Sequence, residues 1–283
     1  MQKYDFSGLK GKICALTGGG GVIGMAMARA FAAAGIKMAI LDLKKDIAEK
    51  AAKEIEKETG TRAAGIEANV LDETSLEKAS AEIKQQLGPV DILVNCAGGN
   101  SPKATTQIEI MKEADKKTPE KTFYGLALDG FKFVFDLNFM GTLLPSMILT
   151  KDMLQSGSGV ILNISSMNSF KPLTKIPAYS AAKAAVNNFT EWLATHLAQV
   201  NIRVNAIAPG FFLTNQNRFL LTDEKTGGLT ERGKKIINGT PMGKFGEPED
   251  LCGTALFLVS DLSSFLTGVV IPVDGGFNAY SGV

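Results

Sequence analysis

The sequence predicts a doubly wound α/β domain: one parallel sheet of seven strands with helices on both faces. Three observations carry that prediction. Seven short apolar runs alternate with longer segments of helical period along the whole chain. The runs are unbroken and rich in β-branched residues, as befits strands buried on both faces. Repeated strand–helix–strand units then imply a parallel sheet covered by helices on each side.

Taken in order, the first run is ICALTG (13–18), followed by a stretch in which Ile23, Met27, Ala30, Phe31 and Ala34 keep a helical period. The second run, KMAILD (37–42), leads into a helix over 46–59, and the third, AAGIEANV (63–70), into one over 73–87. VDILVNCAG (90–98) precedes a helix over 131–155, and GVILNIS (159–165) precedes one over 179–199. IRVNAIAPG (202–210), a helix over 248–259 and VVIPVDGG (269–276) complete the set. Two stretches interrupt the rhythm. Residues 99–130 are polar and Lys-rich, and residues 211–243 separate the sixth strand from the helix that opens at Pro248. Both follow the carboxyl ends of strands, where open α/β sheets bind ligands, and loops of that length inside a compact domain are usually functional or disordered. The apolar residues FFL and RFLL favour a lid over a ligand for the second. No internal repeat or linker divides the 283 residues, so a single domain spanning 1–283 is expected.

Composition narrows the function. With 45% hydrophobic and 21% charged residues and a formal net charge of +1, the chain has no field suited to nucleic acid or an anionic membrane. The N-terminus has no apolar signal segment, and runs such as VILNIS and VVIPV are too short to cross a bilayer. Three widely spaced cysteines (Cys14, Cys96, Cys252) fit reduced thiols and a cytoplasmic location. The only histidine, His196, and the lack of a cysteine pair argue against a metal site.

The turn Thr17-Gly18-Gly19-Gly20-Gly21-Val22-Ile23-Gly24 joins the first strand to the first helix. Glycines here let the backbone approach a pyrophosphate whose charge the helix N-terminus stabilises. Asp42, 24 positions beyond Gly18, ends the next strand. Its carboxylate suits the ribose hydroxyls and repels a 2′-phosphate, so NAD is expected over NADP. Lys44 and Lys45, close behind it, read as exposed helix-start residues. Tyr179 and Lys183, spaced i, i+4, share one face of a helix. Carbonyl reduction needs a proton delivered as hydride arrives. A phenol beside an ammonium is expected to have a lowered pKa and to serve that purpose.

These residues resemble the short-chain dehydrogenase/reductase family along nearly the whole chain. The family's glycine turn matches at Thr17, Gly18 and Gly24, with Val22 at the middle glycine position. Asn69-Val70 follows the third strand, Asn95-Cys96-Ala97-Gly98 stands for N-N-A-G, and Asn138 opens the N-x-x-G segment. Ser166 lies thirteen residues before Tyr179; Pro209–Gly210 to Thr214 matches P-G-x-x-x-T, and VDGG closes the sheet at 273–276. Eight motifs in order imply the Rossmann fold and hydride transfer with NAD. The resemblance makes Tyr179 the general acid/base, helped by Lys183, with Ser166 on the substrate oxygen and Asn138 in a proton relay. Ser165 competes for the serine role, but spacing favours Ser166. Cofactor contacts are implied for Gly18, Gly20, Gly21, Val22, Ile23, Gly24, Asp42, Leu43, Asn69, Val70, Asn95, Ala97, Gly98, Tyr179, Lys183, Pro209, Gly210, Phe212 and Thr214. A homotetramer or homodimer is implied as well, with Trp192 and His196 at the interface or in the core.

Within the family the chain is most similar to the bacterial D-mannonate oxidoreductase (fructuronate reductase) branch. The features are CAGGNSPKATT (96–106) with the insertion after it, FDLNFMGTLLPS (135–146), SSMNSFKPLTKIPAYSAAKAAV (165–186) and FFLTNQNRFLLTDEKTG (211–227). This implies a sugar-acid substrate, D-mannonate or D-fructuronate. Asn100, Ser166 and Asn168 are candidates for its oxygens, and Lys171 or Arg218 for its carboxylate. Two alternatives are a family member acting on another aldonate, a sugar alcohol or a 3-oxo compound, and a nucleotide-sensing protein that lost catalysis. The intact Ser166, Tyr179 and Lys183 weigh against the second.

Overall fold

A computed structural model describes residues 5–213, 221–223 and 227–282. All seven apolar runs form strands: β1 (Ile13–Thr17), β2 (Lys37–Asp42), β3 (Ala63–Glu67), β4 (Ile92–Asn95), β5 (Gly159–Ile164), β6 (Ile202–Pro209) and β7 (Val270–Val273). They make one parallel sheet in the order β3-β2-β1-β4-β5-β6-β7. The chain starts at the centre, winds outward to β3, then crosses back to β4 on the other side of β1. The order therefore reverses between β1 and β4, and a crevice opens there at the carboxyl ends of the strands.

Successive strand residues feed two separate cores. Leu16, Ile92, Val94 and Leu162 pack with Met27 and Phe31 of α1 (Val22–Ala33), Ile55 of α2 (Lys45–Thr59) and Leu258 of α9 (Cys252–Val259). Their neighbours Ala15, Leu93 and Ile161 pack on the opposite face with Leu76 and Ile83 of α3 (Glu73–Gln86), Ile148 of α5 (Gly141–Leu149) and Phe189 of α7 (Pro177–Leu197). Period-two side-chain alternation combined with apolar residues at every position yields this two-sided burial.

The helix expected over 131–155 departs from its simple form. It runs as α4 (Leu128–Phe135), a π-helical turn (Asp136–Met140), α5, and a separate short α6 (Lys151–Ser156). Pro145 inside α5 lacks the donor that would complete the ladder. Along this helix Thr142, Ser146 and Thr150 donate their hydroxyls to the carbonyls four residues back, at 2.9, 2.7 and 2.6 Å. The continuous helix Leu128–Leu149 is also long and apolar enough to cross a membrane by composition, unlike the shorter runs judged from sequence. In this fold it packs against α3, α7 and β4. The 99–130 insertion folds into four short 3-10 turns between Pro102 and Gly125. Within 211–243 a further helix appears, α8 (Glu231–Asn238), capped by the Thr230 side chain at Gly233 N.

Beneath the crevice, a buried polar chain ties the two central strands to two helices. Asn95 Nδ2 donates to Asn163 Oδ1 and to Ser146 Oγ, both at 2.9 Å. Asn163 Nδ2 donates in turn to Thr190 Oγ1 at 2.9 Å. All four residues are buried. Asn163→Leu should therefore cost about 1–3 kcal/mol of stability, since Asn95 Nδ2 and Thr190 Oγ1 each lose one buried hydrogen bond, and chemical denaturation will measure it.

Candidate active site

The glycine turn explains the departure at Val22. Gly18 has φ +63°, and a Cβ there would fall 2.8 Å from Ala97 Cα. A Cβ on Gly24 would fall 2.5 Å from Gly18 O, so that helix–turn contact requires glycine. Gly21, by contrast, is the N-cap of α1 in an extended conformation and Val22 is the first helical residue. A side chain is tolerated at that place because the backbone there is ordinary. Thr17 Oγ1 accepts from Cys96 N and Ala97 N at 3.1 and 3.2 Å, which locks the turn to the end of β4. Asp42, at the end of β2, sets its carboxylate beside Gly20, whose Cβ would meet Asp42 Oδ2 at 3.0 Å.

These elements enclose a cleft of about 770 Å³ at the switch point of the sheet. Of the residues expected from sequence, it is lined by Gly18, Gly21, Val22, Ile23, Gly24, Asp42, Ala97, Gly98, Pro209, Gly210 and Phe212. Asn100, Asn138, Ser166, Tyr179 and Lys183 line it too, so the glycine cradle and the reactive side chains share one cavity. Cys96, Gly99, Ile164, Ser165 and Phe211 join them without having been expected as contacts. Each adjoins a motif residue in sequence, the signal that could have found it.

Several expected residues lie elsewhere. Asn95 is buried in the polar chain below the cleft, because its side chain points into the core of the sheet rather than out of its end. Asn69 turns inward on its own loop, with Oδ1 accepting from Leu71 N at 3.0 Å, and Val70 packs against Gly141. Gly20 lies behind Asp42 and Ile47, and the Leu43 side chain is exposed to solvent. Lys171 Nζ donates to Asn278 O at 2.6 Å, tying its loop to the C-terminal segment. Asn168 is buried behind Ser166, its N donating to Ser166 Oγ at 3.2 Å. Thr214 and Arg218 lie outside the described residues.

Reactive groups are positioned from three elements. Tyr179 and Lys183 sit in the first turns of α7, started by Pro177 at its first position. Ser166 lies just after β5, and its hydroxyl is near enough to the Tyr179 phenol to act on its pKa. Ser165 is committed elsewhere: its hydroxyl donates to Asn187 Oδ1, and Asn187 Nδ2 donates to Ser169 Oγ at 2.8 Å. Asn138 sits in the π-helical turn, its Nδ2 donating to Gly99 O at 2.7 Å and Val134 O at 2.8 Å. Gly98 faces both Asn138 and Lys183, for a Cβ there would fall 2.7 Å from Asn138 Oδ1 and 3.4 Å from Lys183 Nζ. Extra residues of this kind in a helix often mark functional sites, and here the turn brings an amide to the cleft floor.

The electrostatics correct one expectation. Burial pushes the Tyr179 pKa up, against the opposing effect of the Ser166 hydroxyl, so the net shift is opposite to the expected one. The ammonium lies 5.7 Å from the ring centroid, over the ring, and Lys183 Nζ donates to Ile164 O at 2.7 Å. Burial also lowers the Lys183 pKa to about 8. Cys96 is pushed up to about 11 by burial, so its thiol stays protonated at neutral pH and acts as a small filler.

A match to the family model for enoyl-(acyl carrier protein) reductases extends over residues 20–278. An uncharacterised oxidoreductase of Bacillus subtilis is 50% identical over 97% of this chain and 98% of its own. A 2-dehydro-3-deoxy-D-gluconate 5-dehydrogenase of Formosa agariphila is 36% identical, over 99% of this chain and 98% of its own. A crystal structure of a provisionally assigned D-mannonate oxidoreductase from Haemophilus influenza, with bound NAD, superimposes with a TM-score of 0.92. That protein is 49% identical, with 97% of this chain and 98% of the other covered. This chain belongs to the short-chain dehydrogenase/reductase family.

Two outcomes test the site. Lys183→Met should abolish turnover yet raise stability at pH 7 by about 1–3 kcal/mol, because it removes a charge whose burial is costly. The folded-state pKa lies below the unfolded one, so the native lysine's penalty is full below pH 8 and fades as pH rises toward 10.5. The gain in melting temperature should shrink over that window. Asp42→Ala should improve the kcat/KM ratio for NADP over NAD by about ten- to hundredfold, read from steady-state kinetics with both cofactors.

Proposed function

We propose that this short-chain dehydrogenase/reductase interconverts a sugar acid and its keto form, with D-mannonate and D-fructuronate as the pair. The observation that carries the hydride-transfer step is the convergence of Ser166, Tyr179 and Lys183 in the cleft that also holds the glycine turn and Asp42. The sugar-acid assignment is supported by the likeness to the NAD-bound Haemophilus protein and by the Formosa relative, which acts on a deoxygluconate. The cavity also extends past Asn100 at the start of the insertion, whose amide Nδ2 donates to Thr105 Oγ1 at 3.0 Å.

Gly18, Gly21 and Gly24 would hold the pyrophosphate of NAD, Asp42 the adenosine ribose, and Lys183 the nicotinamide ribose. When bound, NAD accepts or returns the hydride, and the protein supplies position and electrostatics. The Ser166 hydroxyl, aligned with the Tyr179 phenol, orients the substrate oxygen between them. Burial keeps Tyr179 protonated at neutral pH, which suits it to hand its proton to a carbonyl oxygen during reduction. In oxidation the Tyr179 phenol first gives its own proton up to solvent, and the resulting phenolate oxygen takes the proton from the alcohol. The Lys183 ammonium, fixed on Ile164 O below the ring, stabilises the phenolate as it forms. Asn138 fixes the Gly99 backbone beside that ammonium.

Tyr179→Phe should reduce turnover by about three orders of magnitude or more while NADH affinity, read by fluorescence titration, stays within about twofold. A panel of aldonates, ketouronates and polyols assayed with NAD and NADH tests the substrate assignment. D-mannonate and D-fructuronate are expected to give the highest kcat/KM, and turnover confined to other members would overturn it.

A further inference from the structure

Phe211, which lines the cofactor cleft, also lines a second cavity of about 240 Å³. Three chain segments converge on it. Lys175 comes from the loop that enters α7, four residues before Tyr179; Arg232 and Lys235 come from α8; and Glu109 comes from the insertion. The insertion is fastened to that loop, since Thr106 N donates to Lys175 O at 2.9 Å. Lys235 Nζ reaches Glu109 Oε2 at 3.0 Å. Among the described residues, Lys175 and Arg232 make no ion pair with a carboxylate within 4.0 Å, although both act on Glu109 from a longer range. Three cations around one carboxylate leave two positive charges in excess. The apolar side of the cavity is formed by Phe211 and Phe277, packed edge to face at 5.2 Å.

Positive surplus, an apolar wall and a lining residue, Phe211, shared with the cleft suit one class of group: a carboxylate carried by a short carbon chain whose other end lies at Tyr179. Lys171 is committed to the C-terminal segment and cannot serve without breaking those contacts. We propose that Lys175 and Arg232 form the subsite for the carboxylate of the sugar-acid substrate, with Glu109 holding Lys235 beside them as an internal competitor for the same charge. The inference rests on the sugar-acid reading above. It assigns to the insertion and α8 the joint task of selecting acids over neutral polyols. A guanidinium and an ammonium aimed at a partly enclosed carboxylate give charge-assisted hydrogen bonds that a hydroxymethyl group cannot match.

The test measures binding of D-mannonate and of neutral D-mannitol to the enzyme–NADH complex by calorimetry, in the native protein, in K175M/R232Q and in Glu109→Gln. In the native protein, D-mannonate should bind about ten- to hundredfold more tightly than D-mannitol. That preference should disappear in K175M/R232Q with NADH affinity and D-mannitol binding unchanged. Glu109→Gln should tighten D-mannonate binding by about threefold or more by freeing Lys235, an effect that a merely structural residue would not produce. A preference retained in K175M/R232Q, or an equal loss for both ligands, would overturn the subsite while leaving the sugar-acid reading intact. A native protein that binds the two ligands equally would overturn both.

Discussion

A chain of buried amides and hydroxyls, running Ser146–Asn95–Asn163–Thr190, registers α5 and α7 on β4 and β5. Apolar packing alone would let either helix slide by a fraction of a turn at little cost, since hydrophobic contact is non-directional. Directional bonds between groups that water cannot reach remove that freedom, because each broken bond leaves an unsatisfied partner. The catalytic geometry depends on this registration. Tyr179 and Lys183 lie on α7 and the Ser166 segment leaves β5, so the same polar chain sets the distance between the Tyr179 phenol and the Ser166 hydroxyl.

Lys183 shows what such registration costs. A lysine at 4% exposure gives up most of its hydration and keeps one strong hydrogen bond, to Ile164 O. Its ammonium is destabilised, which lowers its pKa to about 8, and the surrounding fold must absorb that penalty. Burial acts on Tyr179 in the opposite direction, holding the phenol protonated. One environment thus prepares a retained proton next to a strained positive charge, a pairing favourable only when the proton is about to leave.

Much of the site was legible because its chemistry demands residue types at fixed spacing. Gly18 and Gly24 are needed by backbone proximity, Asp42 by the end of a strand, and Tyr179 and Lys183 by one helical turn. The side chains of Asn95, Asn69 and Val70 turn inward, because a motif residue can serve packing as well as contact. Only its direction distinguishes the two, and direction depends on the pleat of strands and the path of a loop. The lowered phenol pKa expected from an i, i+4 ammonium also failed. Spacing placed the two groups on one face but could not tell how deeply the phenol would be buried, and burial decides the shift.

By itself, the sequence determined the seven-stranded doubly wound fold and pointed to the glycine turn, Asp42, Ser166, Tyr179 and Lys183, which the fold brings to one cleft. Periodicity, glycine geometry and helical spacing are local properties, and the chain carries them without reference to distant partners. Tertiary structure alone decided where the π-helical turn places Asn138, and how burial divides the protonation of Tyr179 and Lys183. It also gathered Glu109, Lys175, Arg232 and Lys235, from three segments as much as 126 residues apart, around one cavity. Those outcomes depend on desolvation and on directions in space, which arise only when remote segments pack together.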